Sequence, residues 1–209
     1  MSYRVQRPGR HGTVAIRGLE HHFIRWGPES ADPVLLLHGF ADCAATFQFL
    51  ADEIDSGLPL VAIDWRGFGA SARSPGGYWF PDYYADLEAM LDTFCPQGPA
   101  RLVGHSMGAN VAMIFAGVRP ARVRALVNLE GIGLPRTQPT QAPARLAQWL
   151  DELRAPLPAG EYASVDELAA RVAKRNPRLT ADQAGFIAAC WSGPLPGGGV
   201  RLLADPAHR

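Results

Sequence analysis

Two kinds of apolar pattern alternate along the chain. Pro33–Leu37, Leu58–Ile63, Ala100–Val103 and Val123–Leu129 are short, nearly continuous apolar runs, the pattern of strands buried on both faces of a parallel sheet. Between them lie stretches with an apolar stripe at helical spacing. Thr46–Ile54 carries Phe47, Leu50 and Ile54 on one face. The stretch from Pro81 to the stop at Cys95-Pro96 carries Tyr84, Leu87, Met90, Leu91 and Phe94. Met107 to about Val118 carries Val111, Ala112, Ile114 and Phe115 and stops at Arg119-Pro120. Proline is tolerated in the first turn of a helix and ends one elsewhere. Ahead of this alternation, Thr13–Arg17 and His21–Trp26 predict an antiparallel hairpin around Gly18-Leu19. His21 and His22 point to opposite faces of their strand and are read as solvated or packed side chains, not a metal pair. Residues 1–11 read as a loose polar arm and Gly27–Pro33 as a turn.

Strands alternating with helices from Pro33 to Glu130 predict an α/β fold, a mostly parallel sheet covered by helices on both faces and joined by right-handed crossovers. The pattern changes after Gly131. Gly133–Pro143 is rich in proline and polar residues. Ala144–Leu153 is amphipathic, with Leu146, Trp149, Leu150 and Leu153 on one side. Ser164 and Glu167 form a capping box for a second helix, broken at Asn176-Pro177. Thr180 caps a third, running to about Trp191, and Ser192–Gly199 reads as flexible. The chain therefore divides into a core, 1–130, and a helical lid, 131–209; a plain helical appendage is the alternative for the second part.

Composition narrows the function classes. Lys plus Arg and Asp plus Glu are both 20, which gives no electrostatic reason to expect nucleic acid or an anionic membrane as partner. No apolar run has the length of a membrane span, and Met1–Gly12 lacks the apolar segment of a secretory signal. Cys43, Cys95 and Cys190 are scattered, without metal-ligand spacing, and read as reduced thiols of a cytoplasmic protein. No cofactor or metal is expected.

The chemistry sits where the strands end, the side of such a sheet on which ligands bind. Val103-Gly104-His105-Ser106-Met107-Gly108 runs from a buried strand through a sharp turn straight into a helix. This is the G-x-S-x-G elbow, which strains the serine backbone and pushes its hydroxyl out above the sheet. Gly104 and Gly108 flank it because a Cβ at either place would collide with the adjoining strand or helix. Leu37-His38-Gly39-Phe40 and Asp64-Trp65-Arg66-Gly67-Phe68-Gly69-Ala70-Ser71 end the two preceding strands.

In that order and spacing these motifs resemble the α/β-hydrolase fold family, well over Thr13–Glu130 and loosely beyond. The chain looks most like its lidded, esterase-like serine hydrolases. The related haloalkane dehalogenases and epoxide hydrolases carry an aspartate where Ser106 stands. The resemblance implies that Ser106 attacks an acyl carbonyl and that the N–H groups of Phe40 and Met107 form the oxyanion hole. It implies that His38, Gly39 and His105 stand at the substrate pocket, His38 ordering its loop and His105 structural, and that Asp64 and Arg66 brace their loop. Trp149, Phe186 and Trp191 are expected at the pocket and imply an apolar small-molecule acyl substrate.

The general base breaks the pattern. The family order is serine, acid, histidine, and only His208 follows Ser106. Leu203–Arg209 resembles the exit of a lid, not the loop that carries the catalytic histidine, so the chain reads as the first part of a hydrolase, without the strands expected after the lid. Glu130, at the end of the strand after the elbow helix, is either the triad acid or a hinge or pocket carboxylate. Two readings follow: a serine hydrolase of small esters, amides or diketones, or a hydrolase-like ligand binder without the base.

Overall fold

The computed structural model describes residues 3–29, 32–54, 57–133, 136–154 and 160–208. The turn expected at Gly27–Pro33 and the proline-rich segment at Gly133–Pro143 lie partly outside them. The expected strands form one six-stranded sheet. Its members are β1 (Arg10–Ile16), β2 (Leu19–Trp26), β3 (Val34–Leu37), β4 (Leu60–Ile63), β5 (Ala100–His105) and β6 (Val123–Leu129). In space they run β1-β2-β4-β3-β5-β6. β1 and β2 are the antiparallel hairpin, and β4, β3, β5 and β6 are parallel.

The alternation of side chains along a strand decides which helix covers which face. Leu35, Leu37, Val61 and Ile63 point to α2 (Phe80–Phe94) and α3 (Met107–Val118), meeting Leu87, Met90, Leu91, Val111 and Phe115. Val34, Leu36, Leu60 and Ala62 point the other way, to Phe47, to Ala51 on α1 (Gln48–Glu53) and to Trp26. Each large aliphatic side chain so buried contributes about 1.5–3 kcal/mol.

Register gathers the chemistry at one edge. Leu37 pairs with both Ile63 and Gly104, and His105 with Leu129. The next residues, His38, Asp64, Ser106 and Glu130, therefore leave the sheet together.

After Gly131 the chain forms α4 (Ala142–Arg154), α5 (Val165–Arg175) and α6 (Ala181–Trp191). Ser164 caps α5 by accepting from the Glu167 N–H, and Thr180 caps α6 in a reciprocal box with Gln183. Two expectations are corrected. Ser192–Gly199 is not simply flexible: β8 (Ser192–Pro194) pairs with β9 (Val200–Leu202), and β9 with β7 (Glu161–Tyr162), in a small antiparallel sheet. The strands are too short for alternation to show. The N-terminal arm is also held. Tyr3 donates to Asp52 at 2.7 Å and packs edge-on against Phe49 and Phe186, while the Arg7 N–H donates to Asp52 at 2.7 Å.

Candidate active site

Ser106 stands at the turn between β5 and α3 with φ 49° and ψ −111°, a region that a residue with a Cβ enters only under strain. The two glycines explain how the turn closes. A Cβ on Gly104 would sit 2.5 Å from the Ala109 Cα, and one on Gly108 would fall on the carbonyl oxygen of Leu37. Helix α3 therefore lies directly on the sheet, and Ser106 is lifted clear of it. The Ser106 side chain has no hydrogen-bond partner among the described residues.

Two neighbouring loops are fixed by buried polar groups. His38 is fully buried: Nδ1–H donates to the Gly39 carbonyl at 2.7 Å, and Nε2 accepts from the Trp65 N–H at 3.0 Å. This pairing fixes the orientation of the ring. Asp64 is also buried. It accepts from the N–H groups of Ala44 (2.6 Å) and Ala70 (3.0 Å) and from His22 Nδ1 (2.7 Å). Burial alone would raise its carboxyl pKa, but His22, nearby His38 and those two N–H groups outweigh it and hold it below the ordinary value. Arg66 makes a bidentate pair with buried Asp86 on α2, at 2.6 and 2.5 Å. Asp64 and Arg66 thus both brace the loop, the role that the resemblance implies for them.

A cavity of about 280 Å³ opens beside Ser106, lined also by Phe40, Met107, Tyr78, Phe80, Tyr83, Asn110 and His208. The expected trio of Ser106, Phe40 and Met107 is thus brought together. Among the described residues neither the Phe40 nor the Met107 N–H has an acceptor. Gly39 lies against the site without lining the cavity. A Cβ there would be 3.0 Å from His105 Nδ1 and 3.2 Å from the Ser106 Cβ.

Other expected site residues lie elsewhere. His38 is behind the loop, not in the cavity. His105 sits between carboxylates, Nδ1 3.9 Å from Asp42 and Nε2 3.9 Å from Glu130. The Glu130 side chain is 80 % exposed and does not line the cavity; Glu130 itself, the residue after β6, is left-handed (φ 62°). Trp149 is half-exposed on α4. Phe186 packs on Tyr3 and Phe49 and lines a groove of about 600 Å³ between α5 and α6, which shares no residue with the Ser106 cavity. Trp191 donates its Nε1–H to Asp42 at 2.8 Å. None of these three aromatic side chains walls the cavity.

The walls come instead from residues that the apolar stripes do not flag. Tyr78 precedes α2, Phe80 opens it, and Tyr83 lies one position off its stripe. The signal in the sequence is the aromatic density of Tyr78-Trp79-Phe80 just after the Asp64–Ser71 loop. His208 is 7 % exposed. Its Nε2 is 3.2 Å from the Tyr83 hydroxyl, and its Nδ1 has no partner. Burial pushes its pKa down to about 4, partly opposed by Asp205. Asp205 itself accepts from the Tyr78 hydroxyl at 2.6 Å and from the Ala207 N–H at 3.0 Å.

Among the described residues no group of three or more His, Cys, Asp or Glu side chains converges as a metal site. None of the described helices is long and apolar enough to cross a membrane.

A sheet of this order with a strained serine at the end of β5, between a parallel strand and a helix, defines a class of protein, and comparison with known proteins agrees. Residues 32–184 match the profile of the α/β hydrolase fold, and the chain belongs to that family. It is 38 % identical over 117 residues to a serine hydrolase-like protein of Danio rerio, an alignment covering 55 % of this chain and 36 % of that one. It is 30 % identical over 176 residues to the 2-(acetamidomethylene)succinate hydrolase of Mesorhizobium japonicum, covering 83 % and 59 %. The chain thus spans less than two thirds of the length of these relatives. Among solved structures, the thioesterase domain from the curacin biosynthetic pathway superposes with a TM-score of 0.85 at 25 % identity, over 96 % of this chain and 71 % of that one.

Proposed function

We propose that the protein is a serine hydrolase acting on a small, largely apolar ester, amide or related acyl compound through an acyl-enzyme on Ser106. The observation that carries this reading is the strained Ser106 at the mouth of the cavity, its hydroxyl unpartnered. Ser106 Oγ attacks the carbonyl carbon, and the carbonyl oxygen becomes an oxyanion. The N–H groups of Phe40 and Met107 receive that charge; one such donor is worth about 3 kcal/mol of transition-state stabilisation. The alcohol or amine then leaves with a proton, and water hydrolyses the acyl-enzyme. The helices α4–α6 stand where the lid is expected and are tied to the core where Trp191 meets Asp42, but none of their described residues lines the cavity.

One observation favours a second reading, a hydrolase-like ligand binder. Among the described residues no imidazole is hydrogen-bonded to Ser106. His208 shares the cavity, but its Nε2 faces Tyr83 and burial makes it a weak base.

The test is labelling with a fluorophosphonate, and hydrolysis of p-nitrophenyl acetate, by the 209-residue chain and Ser106→Ala. Oxyanion stabilisation and binding without a base leave a residual rate of roughly 10³–10⁴ over water. We expect slow labelling confined to Ser106. An unlabelled Ser106 in a folded chain hands the case to the binder; fast turnover lost in His208→Ala makes His208 the base.

A further inference from the structure

The His208 imidazole occupies a cage of aromatic rings. Its centroid is 3.5 Å from that of Tyr78, stacked at 30°, and 3.9 Å from Phe68, edge-on at 63°. Phe40 closes a third side at 6.0 Å, and the Tyr83 hydroxyl faces the ring. The walls are built in. Phe68 is fully buried and Tyr83 nearly so. Tyr78 is anchored through its hydroxyl, which donates to Asp205 and accepts from the Ser74 N–H. Gly67, at φ 73°, has no Cβ because Tyr78 fills that space.

Imidazole is a poor filler for this cage. A neutral ring has one donor and one acceptor nitrogen. If Tyr83 donates to Nε2, the Nδ1–H is buried without an acceptor; if Nε2–H donates to Tyr83, the Nδ1 lone pair is buried without a donor. Either way a polar atom is left unpaired among carbon faces, which is costly. A carbocyclic ring would gain the same stacking with no such atom.

We propose that this cage is the acyl-group subsite of the Ser106 cavity, that it takes a planar aromatic acyl group of the benzoyl type, and that His208 holds its place in this structure. The word acyl rests on the nucleophile reading of Ser106; the preference for a planar ring does not. Phe40, Tyr78, Tyr83 and His208 itself line the same cavity as Ser106, with buried Phe68 behind them, so a ring in the place of His208 would adjoin the serine.

Benzamide and butyramide, neutral and non-covalent, test the cage by ligand-observed NMR titration. We expect benzamide to bind about tenfold more tightly, the scale of one good aromatic contact. The preference should survive in Ser106→Ala and shrink towards parity in Tyr78→Leu. Benzamide affinity should rise several-fold in His208→Ala, which removes only the occupant and keeps the test open if Tyr78→Leu fails to fold. Equal affinity for the two amides in both the wild type and His208→Ala overturns the proposal. Fluorophosphonate labelling is read separately. A chain that prefers benzamide but does not label keeps the cage and loses the nucleophile; one that labels without the preference does the reverse.

Discussion

The Ser106 N–H donates to the carbonyl oxygen of Leu129 at 2.8 Å. The last residue of β6 thus fixes the backbone of the residue after β5, and the strained turn is held by the sheet itself. Such a conformation costs about 1–3 kcal/mol and persists only when its surroundings over-determine it.

Ser106→Gly should therefore stabilise the fold, since glycine adopts φ 49° without penalty. We expect a gain of about 1 kcal/mol over Ser106→Ala, which keeps the Cβ and the strain. Chemical denaturation of the two variants measures the difference, and equal stability would remove the argument that the turn stores strain. Both variants should fail to label.

Asp64 ties β2, the turn after β3 and the loop after β4 together through three hydrogen bonds. Asp64→Asn turns one acceptor edge into a donor facing N–H groups. We expect a loss of about 2–4 kcal/mol and a looser Phe40 loop, read by denaturation and by hydrogen exchange at Ala44 and Ala70. Because the Asp64 pKa is lowered on folding, its contribution is full above the unfolded value of about 4 and is lost only as pH falls below that.

The core sheet was legible because β3 and β4 are apolar at every position, a pattern that a parallel strand under two layers of helix requires. The elbow was legible because Gly104 and Gly108 answer to steric contacts fixed by the turn itself. The cavity walls were not. Trp149, Phe186 and Trp191 are large and apolar, but which cavity a side chain lines depends on how distant elements pack, and local periodicity carries none of that. His208 shows the same limit: nothing in Asp205-Pro206-Ala207-His208 announces that its ring docks against Phe68 and Tyr78.

The docking of His208 carries a pH signature. Its pKa is about 4 in the folded chain, below the 6.5 of a free imidazole. Between these values the unfolded or undocked segment binds the proton and the docked one does not. The stabilisation is therefore full above about pH 6.5 and is lost as pH falls towards 4, by on the order of 3 kcal/mol in all. His208→Phe should stay docked and flatten the dependence. NMR titration of the His208 ring together with denaturation at pH 7 and pH 5 checks this; a pKa near 6.5 would mean that the ring is not held in the cage.

The other surface with a consequence is β6. It pairs with β5 on one side and ends the sheet among the described residues. It has no proline or lysine, two of the residues that commonly guard an edge against pairing with another chain. Val127 is 50 % and Leu129 43 % exposed. Both lie on the face opposite Leu126, which packs towards α2 and α3. Ile132, exposed just beyond the strand, adds to the same end, and Val118 on α3 exposes a further apolar side chain. The 209-residue chain should therefore self-associate, and Val127→Lys should shift it towards monomer by placing a charge on the uncovered strand. Sedimentation velocity over a concentration series reads both. A wild-type chain that sediments as a single monomeric species at every concentration, and unfolds cooperatively, would show that β6 tolerates its exposure.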